Sequence, residues 1–259
     1  MILLKSVLLG IIEGVTEFLP ISSTAHLIIA QKILQIPSNE YWKFFTVFIQ
    51  SGAILAVIAS YFVQLKDKQT LRNLFLSFVP TAIIGLLMYP LIKSIFFESL
   101  GLIVFMLIGF GLVFLVVERL IDKGKIKLKK GLKQMSIKEA VLIGLWQSLA
   151  IIPGASRAGA VIIGGLFMGF RRTDIALYSF FLAVPTILAA SVLDIIKTKP
   201  NLLISNLLIS ITGFVVSFIT AYFVLRWFIS YLQKNDLRIF GYYRIMAGII
   251  LIILYFLYF

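Results

Sequence analysis

A polar segment interrupts an apolar N-terminal stretch of this chain: residues 13–26 read EGVTEFLPISSTAH. Pro20 cannot continue an α-helix, because it lacks an amide N–H and its ring clashes with the preceding turn. The hydroxyl residues that follow Pro20 are of the type that caps helix N-termini. The stretch 5–34 therefore predicts two half-helices joined by a non-helical elbow, that is, a re-entrant hairpin.

A second apolar stretch, 138–169, is interrupted in the same way by PGASRAG, residues 153–159. A shift of 133 residues without gaps places Pro20 on Pro153 and Ser23 on Ser156. Matches among Leu, Ile and Ala are frequent by chance in an apolar chain, but matched Pro and Ser inside two breaks are not. The alignment predicts an internal repeat.

The composition excludes most soluble folds. Of the 259 residues 61% are hydrophobic and 14% are charged, against roughly 25% charged residues in soluble domains. The 24 Lys and Arg outnumber the 11 Asp and Glu, but long apolar runs separate them, which argues against a nucleic-acid partner. With no cysteine, neither disulfides nor thiolate sites are available.

Six further segments are long and apolar enough to cross a bilayer, which takes about 20 residues. They are 42–63, 74–93, 100–118, 175–196, 202–225 and 241–259. The sequence thus predicts one all-α integral membrane domain over 1–259, with repeat 1 at about 1–120 and repeat 2 at about 134–259. Each repeat holds one hairpin and three crossings, and an odd number of crossings inverts the second copy.

The loop charges predict the orientation. The connecting stretches 64–73, 119–138, 170–174 and 226–240 hold most of the basic residues, including the basic loop at 119–138. By the positive-inside rule they are cytoplasmic. Both termini are then extracytoplasmic, and the two hairpins enter from opposite faces and meet near the midplane.

Two carboxylates lie in the first hairpin. Glu13 and Glu17 are four residues apart and share one helix face. Like charges this close favour a shared proton or cation, so the pair suits a general base or two oxygen ligands for Mg²⁺ or Ca²⁺. Ionisable residues within membrane segments usually mark functional sites.

The first elbow also predicts an anion site. Ser22, Ser23 or Thr24 can cap the second half-helix, whose free N–H groups attract anions. His26 lies three residues beyond Ser23, on nearly the same face, where it is a candidate base, acid or nucleophile.

The second elbow carries a cation instead. Gly154, Ser156 and Arg157 suit a phosphate, which an arginine grips through two parallel hydrogen bonds. Gln50 is a further candidate for lining the site. Together the elbows predict phosphoryl chemistry on a membrane-embedded substrate. Tyr243 and Arg244 begin the last helix, where we expect interfacial anchoring.

These motifs resemble those of the undecaprenyl-diphosphate phosphatase family, also called the bacitracin-resistance protein family. The resemblance extends over essentially the whole chain. It implies an enzyme of the bacterial cytoplasmic (inner) membrane that removes the terminal phosphate of undecaprenyl diphosphate, a polyprenyl lipid carrier of peptidoglycan synthesis. It further implies an active site facing the extracytoplasmic side, a divalent cation, and functional residues at Glu13, Glu17, Ser23, His26 and Arg157.

Three positions depart from the family pattern. Relatives usually have Ser in place of Ala158, often Thr in place of Val161 and commonly Glu in place of Leu177. The missing hydroxyls predict a thinner phosphate-binding shell that depends more on Ser156 and Arg157.

The mechanistic hypothesis has Ser23 attacking the terminal phosphorus with Glu17 as base, assisted by His26, while Glu13 positions the cation or tunes Glu17. Two variants stay open: His26 as nucleophile, or a metal-activated water without a covalent intermediate. A rival function is also open, because inverted repeats with broken helices are typical of transporters. The rival is an ion-coupled transporter or flippase of phosphorylated polyprenyl lipid.

Overall fold

The computed structural model describes residues 1–91 and 100–258, and all helices named below lie in these ranges. Eleven α-helices follow one another along the described chain: α1 (Ile2–Thr16), α2 (Ser23–Ile33), α3 (Glu40–Leu65), α4 (Lys68–Leu91), α5 (Leu100–Asp122), α6 (Ile137–Ser148), α7 (Arg157–Phe167), α8 (Arg172–Lys197), α9 (Pro200–Ser205), α10 (Leu207–Leu232) and α11 (Arg238–Tyr258). A short 3₁₀ turn, Leu149–Ile151, extends α6.

Within the described residues, five helices are long and apolar enough to cross a membrane: α3, α4, α5, α8 and α10. They indicate a multi-pass membrane protein. The predicted segment 74–93 ends outside the described residues, and so does 241–259, which otherwise falls on α11. The prediction of 202–225 was wrong in its bounds, because the helix breaks at Asn206 and α10 then runs to Leu232.

Both predicted hairpins are broken helices. The first is α1 and α2, and the second is α6 and α7. The capping residue of α2 is Ser22, with φ 75°, and that of α7 is Ser156, with φ 74°. These are left-handed backbone conformations that serine seldom adopts, and they turn the chain sharply into each second half-helix.

At the start of the second half-helices, the predicted shift of 133 residues is therefore one residue too small. It pairs Ser23 with Ser156, whereas the structure gives Ser22 and Ser156 the same capping position. The second elbow contains one residue more, and its Gly154, with φ +93°, takes up the extra turn. A side chain there would lie 2.7 Å from the carbonyl oxygen of Ile103.

Each hairpin packs on a long helix from the other half of the chain. Helix α1 lies against α10, while α6 lies against α4. Glycines allow the close approach: a Cβ on Gly14 would lie 2.7 Å from the Ser217 carbonyl oxygen, and one on Gly144 would overlap the backbone of Ser77. Helix α3 packs against α8, and α5 against α11.

The four basic loops meet at one end of the molecule. Gln69 Nε2 donates to the Lys133 carbonyl at 2.9 Å, and the Arg171 amide donates to the Lys130 carbonyl at 3.0 Å. Arg172 pairs with the buried Glu118, which also accepts from the Leu237 amide at 3.0 Å. The stretches that the charge pattern assigned to one side are thus neighbours in space.

Candidate active site

One buried arginine joins the two elbows. Arg244 is fully buried in α11, and its guanidinium donates to the carbonyl of Pro20 at 3.0 Å in the first elbow. In the second elbow it donates to the carbonyls of Gly154 and Ala155, at 2.7 and 3.1 Å. Further bonds reach the carbonyls of Met106 and Leu107 in α5.

The expectation that Arg244 anchors the helix at the interface was therefore wrong. Carbonyl groups at broken helix ends have no intrahelical partner, and the five donors of a guanidinium can satisfy several of them at once. Arg244 serves as a cross-link that holds the two elbows together.

A cavity of about 210 Å³ lies beside the elbows. Most of the predicted site residues line it: Glu17, Ser22, Ser23, Thr24, Gln50, Gly154, Ser156 and Arg157. Two predicted residues, Glu13 and His26, are not on its wall. The sequence-distant elbows thus contribute to one space.

Glu17 connects the two elbows on the cavity wall. Ser23 Oγ donates to Glu17 Oε2 at 2.6 Å, and Arg157 Nη2 donates to Glu17 Oε1 at 3.2 Å. The side chains of Arg157 and Glu17 are only 11% and 6% exposed. A hydroxyl whose proton is directed at a carboxylate has the geometry of a nucleophile paired with a general base.

Arg157 is held by a second contact. Its Nη1 donates to the Ser179 carbonyl of α8 at 2.6 Å. This bond holds one side of the guanidinium, so that the other side, which contacts Glu17, stays at the cavity wall. An entering phosphate could compete there with the carboxylate, because both are anions that accept from a guanidinium.

The two elbow serines act as caps. Ser22 Oγ accepts from the Ala25 amide at 3.4 Å, and Ser156 Oγ accepts from the Gly159 amide at 3.1 Å. The sequence left Ser22, Ser23 and Thr24 open as caps, and the structure assigns that role to Ser22. Ser23 is thereby left to bond Glu17.

Glu13 lies off the cavity wall and is fully buried. Neither of its carboxylate oxygens has a hydrogen-bond partner among the described residues. A buried carboxylate without partners, one helical turn from Glu17, is a donor set of the kind that a hard divalent cation accepts. No group of three or more His, Cys, Asp or Glu that could hold a metal ion lies in the described part of the chain.

His26 is directed away from Ser23. Its Nδ1 lies 2.7 Å from the Ser22 carbonyl, which can only accept, so Nδ1 carries a proton. In the neutral ring, Nε2 then accepts from the Tyr243 hydroxyl at 2.6 Å. Both ring nitrogens are engaged, and the described contacts give His26 no bond to Ser23 or Glu17.

The departures from the family pattern lie behind the site. Ala158 and Val161 are fully buried in α7, and Leu177 packs at the edge of the core. None of the three is on the cavity wall. These three residues could therefore affect phosphate binding only indirectly, through the neighbours that do line the cavity.

Sequence reasoning missed two groups of polar residues. Arg244 carries a signal in hindsight, since it is an ionisable residue within a predicted crossing. Gln147 of α6, with Thr81 of α4 and Thr186 of α8, also lines the cavity. These residues belong to separate helices, so spacing along the chain does not reveal them.

Comparison with known proteins places this chain in a family. Residues 6–250 match the family described as Bacitracin resistance protein BacA. The undecaprenyl-diphosphatase of Sulfurihydrogenibium sp. (strain YO3AOP1) is 42% identical over 95% of this chain and 97% of its own length. The undecaprenyl-diphosphatases of Aquifex aeolicus and Persephonella marina are 41% and 43% identical, over 95% and 97% of this chain and 96% and 98% of their own lengths. The chain belongs to the bacitracin resistance protein BacA family.

Proposed function

We propose that this protein is an undecaprenyl-diphosphatase that removes the terminal phosphate of undecaprenyl diphosphate. The observation that carries the proposal is the chain of contacts from Ser23 through Glu17 to Arg157, which unites the two elbows on one cavity wall. The products are undecaprenyl phosphate and inorganic phosphate. Recycling the lipid carrier in this way serves peptidoglycan synthesis and bacitracin resistance.

In the proposed mechanism, Ser23 attacks the terminal phosphorus while Glu17 takes its proton. Arg157 turns from Glu17 to the phosphate, and the start of α2 adds backbone N–H groups. Phosphoryl transfer depends mainly on positioning and on neutralising charge, and these groups supply both. The orientation of His26 toward Tyr243 favours Ser23 over His26 as nucleophile.

A divalent cation, Mg²⁺ or Ca²⁺, is part of the proposal. Glu13 and Glu17 would hold it together with the diphosphate, because Mg²⁺ sites commonly use one or two carboxylates and substrate phosphates. When bound, it would neutralise charge on the diphosphate.

We also propose two inverted repeats in the bacterial inner membrane, with the site open to the extracytoplasmic side. The exchanged packing of α1 on α10 and of α6 on α4 supports this arrangement. So does the meeting of the four basic loops at one end.

Phosphate release in detergent tests the function. The wild-type protein should release phosphate from undecaprenyl diphosphate, and Ser23→Ala should abolish release. Ser205→Ala, an exposed helix serine, is the matched control. A phosphoserine trapped at Ser23 would support the covalent route, whereas full activity of Ser23→Ala would exclude it.

The rival proposal is ion-coupled transport or flipping of phosphorylated lipid. Substrate binding by intact protein without any phosphate release would favour transport. Release in detergent, where there is no second leaflet to reach, favours the phosphatase.

A further inference from the structure

A polar group on the cavity wall has no role in the mechanism above. Gln147 is fully buried, and its Oε1 has no hydrogen-bond partner among the described residues. The residue Gln147 lines the same cavity as Ser23 and Arg157 but belongs to α6, whereas Ser23 begins α2. Buried amide oxygens rarely lack a partner, so this atom needs an explanation.

Two threonines fix the orientation of the Gln147 amide. Gln147 Nε2 lies 2.9 Å from Thr81 Oγ1 and 3.2 Å from Thr186 Oγ1. The Thr81 hydroxyl donates its hydrogen bond to the Gly144 carbonyl at 2.9 Å, and the Thr186 hydroxyl donates to the Leu182 carbonyl at 2.7 Å. Both hydroxyls can therefore only accept from Gln147, which must present nitrogen to them and keep its oxygen free.

Gln147 Oε1 can only accept a hydrogen bond, so its ligand must be a hydrogen-bond donor. An ionised diphosphate offers acceptors only, so it cannot bond to Oε1. The departing prenyl phosphate is a weak base that needs no proton from the protein. The donor that a phosphatase reaction does supply is water, and the cavity is many times larger than one water requires.

We infer that Gln147 is a positioning residue that orients the water for the second half of the reaction, an inference that rests on the proposed function. In the first step, the Ser23 oxygen bonds to the terminal phosphorus, the bond to the bridging oxygen breaks, and Glu17 takes the serine proton. Prenyl phosphate leaves on the side away from Ser23. Water must then attack from that vacated side, because displacement at phosphorus is in line.

The second step balances without another reactant. The water oxygen bonds to phosphorus, and the bond from phosphorus to Ser23 Oγ breaks. Glu17 returns its proton to Ser23. Both water hydrogens leave on dihydrogen phosphate. Gln147 accepts a hydrogen bond from the water throughout but gains no proton, since an amide oxygen is not a base.

Rapid-quench kinetics of Gln147→Met tests the inference, because methionine keeps the size of the side chain and removes the acceptor. Prenyl phosphate should appear in the first turnover, in an amount equal to the enzyme, at a rate within threefold of wild type. Steady-state phosphate release should fall on the order of 10²-fold, the cost of a misplaced reactant, and phosphoserine at Ser23 should accumulate. Gln64→Met, at an exposed glutamine, should match wild type.

Thr186→Val provides a second variant should Gln147→Met fail to fold, and it should slow phosphate release in the same way but less. The inference is overturned if first-turnover and steady-state rates fall together, if neither falls, or if no phosphoserine accumulates. Absence of phosphate release from the wild-type protein would instead refute the proposed function, so the two failures are distinguishable.

Discussion

At the first elbow, the residue that follows the capping serine is Ser23; at the second, it is Arg157. The backbones match, since both caps have left-handed φ values and both begin a helix of 11 residues. The side chains differ: one elbow offers a hydroxyl backed by carboxylates, and the other a cation. Neither elbow alone could both hold and attack a phosphate, and Glu17 is the residue that contacts both.

The comparison predicts that Arg157 of the cationic elbow contributes more to the rate than Glu17, the base of the hydroxyl elbow. Arg157→Ala should lower kcat/KM for phosphate release on the order of 10³-fold, because an arginine that neutralises a transferring phosphoryl group contributes about that much. Arg157→Lys should retain part of the activity, since lysine keeps the charge but loses the bidentate geometry. Arg157→Ala within tenfold of wild type would show that the second elbow does not bind phosphate.

The cross-link between the elbows can be tested separately from their chemistry. Arg244→Met leaves several buried carbonyls without donors and should cost about 3 kcal/mol of stability. The thermal midpoint in detergent should then fall by about 6–12 °C. Arg119→Met, at an exposed arginine of α5, is the control, and an unchanged midpoint for Arg244→Met would refute the cross-link.

The hydroxyl elbow should respond to the loss of its base. Glu17→Gln keeps the size of the side chain but cannot take the Ser23 proton, so kcat should fall about 10²-fold. Binding of a methylene-bridged prenyl diphosphonate, measured without a divalent cation, should not weaken. Glu40→Gln, at an exposed glutamate, should leave both measurements unchanged. A loss of binding without a loss of kcat would assign Glu17 to substrate binding alone.

The local sequence predicted the two elbows but not the contacts that residues distant in sequence make in and around the site. Pro20 and Pro153 revealed both elbows, because the effect of proline on a helix is local. Local spacing also gave the candidate residues near them, most of which line one cavity. The contact of Arg244 with three elbow carbonyls was not predicted, since it joins residues 89 to 224 positions apart. The same holds for Gln147, whose threonine partners lie 66 and 39 residues away.

His26 shows a related limit. Its spacing from Ser23 gave three candidate roles, and helical geometry allowed all of them. The contact that bears on these roles is with Tyr243, which lies 217 residues away. A lone histidine can be assigned only when the partners of both ring nitrogens are known.

The smallest expected effect concerns this same pair. Tyr243→Phe removes the hydroxyl from His26 Nε2 but keeps the ring stacking, at 5.6 Å between centroids. One hydrogen bond of about 1 kcal/mol corresponds to a loss of activity of about fivefold. If His26 only anchors α2 to α11, His26→Phe should be equally mild, and the double variant should lose no more than the worse single variant. A loss for His26→Phe on the order of 10²-fold or more would instead give the first elbow a second chemical group and weaken the case for Ser23 and Glu17 as its whole machinery.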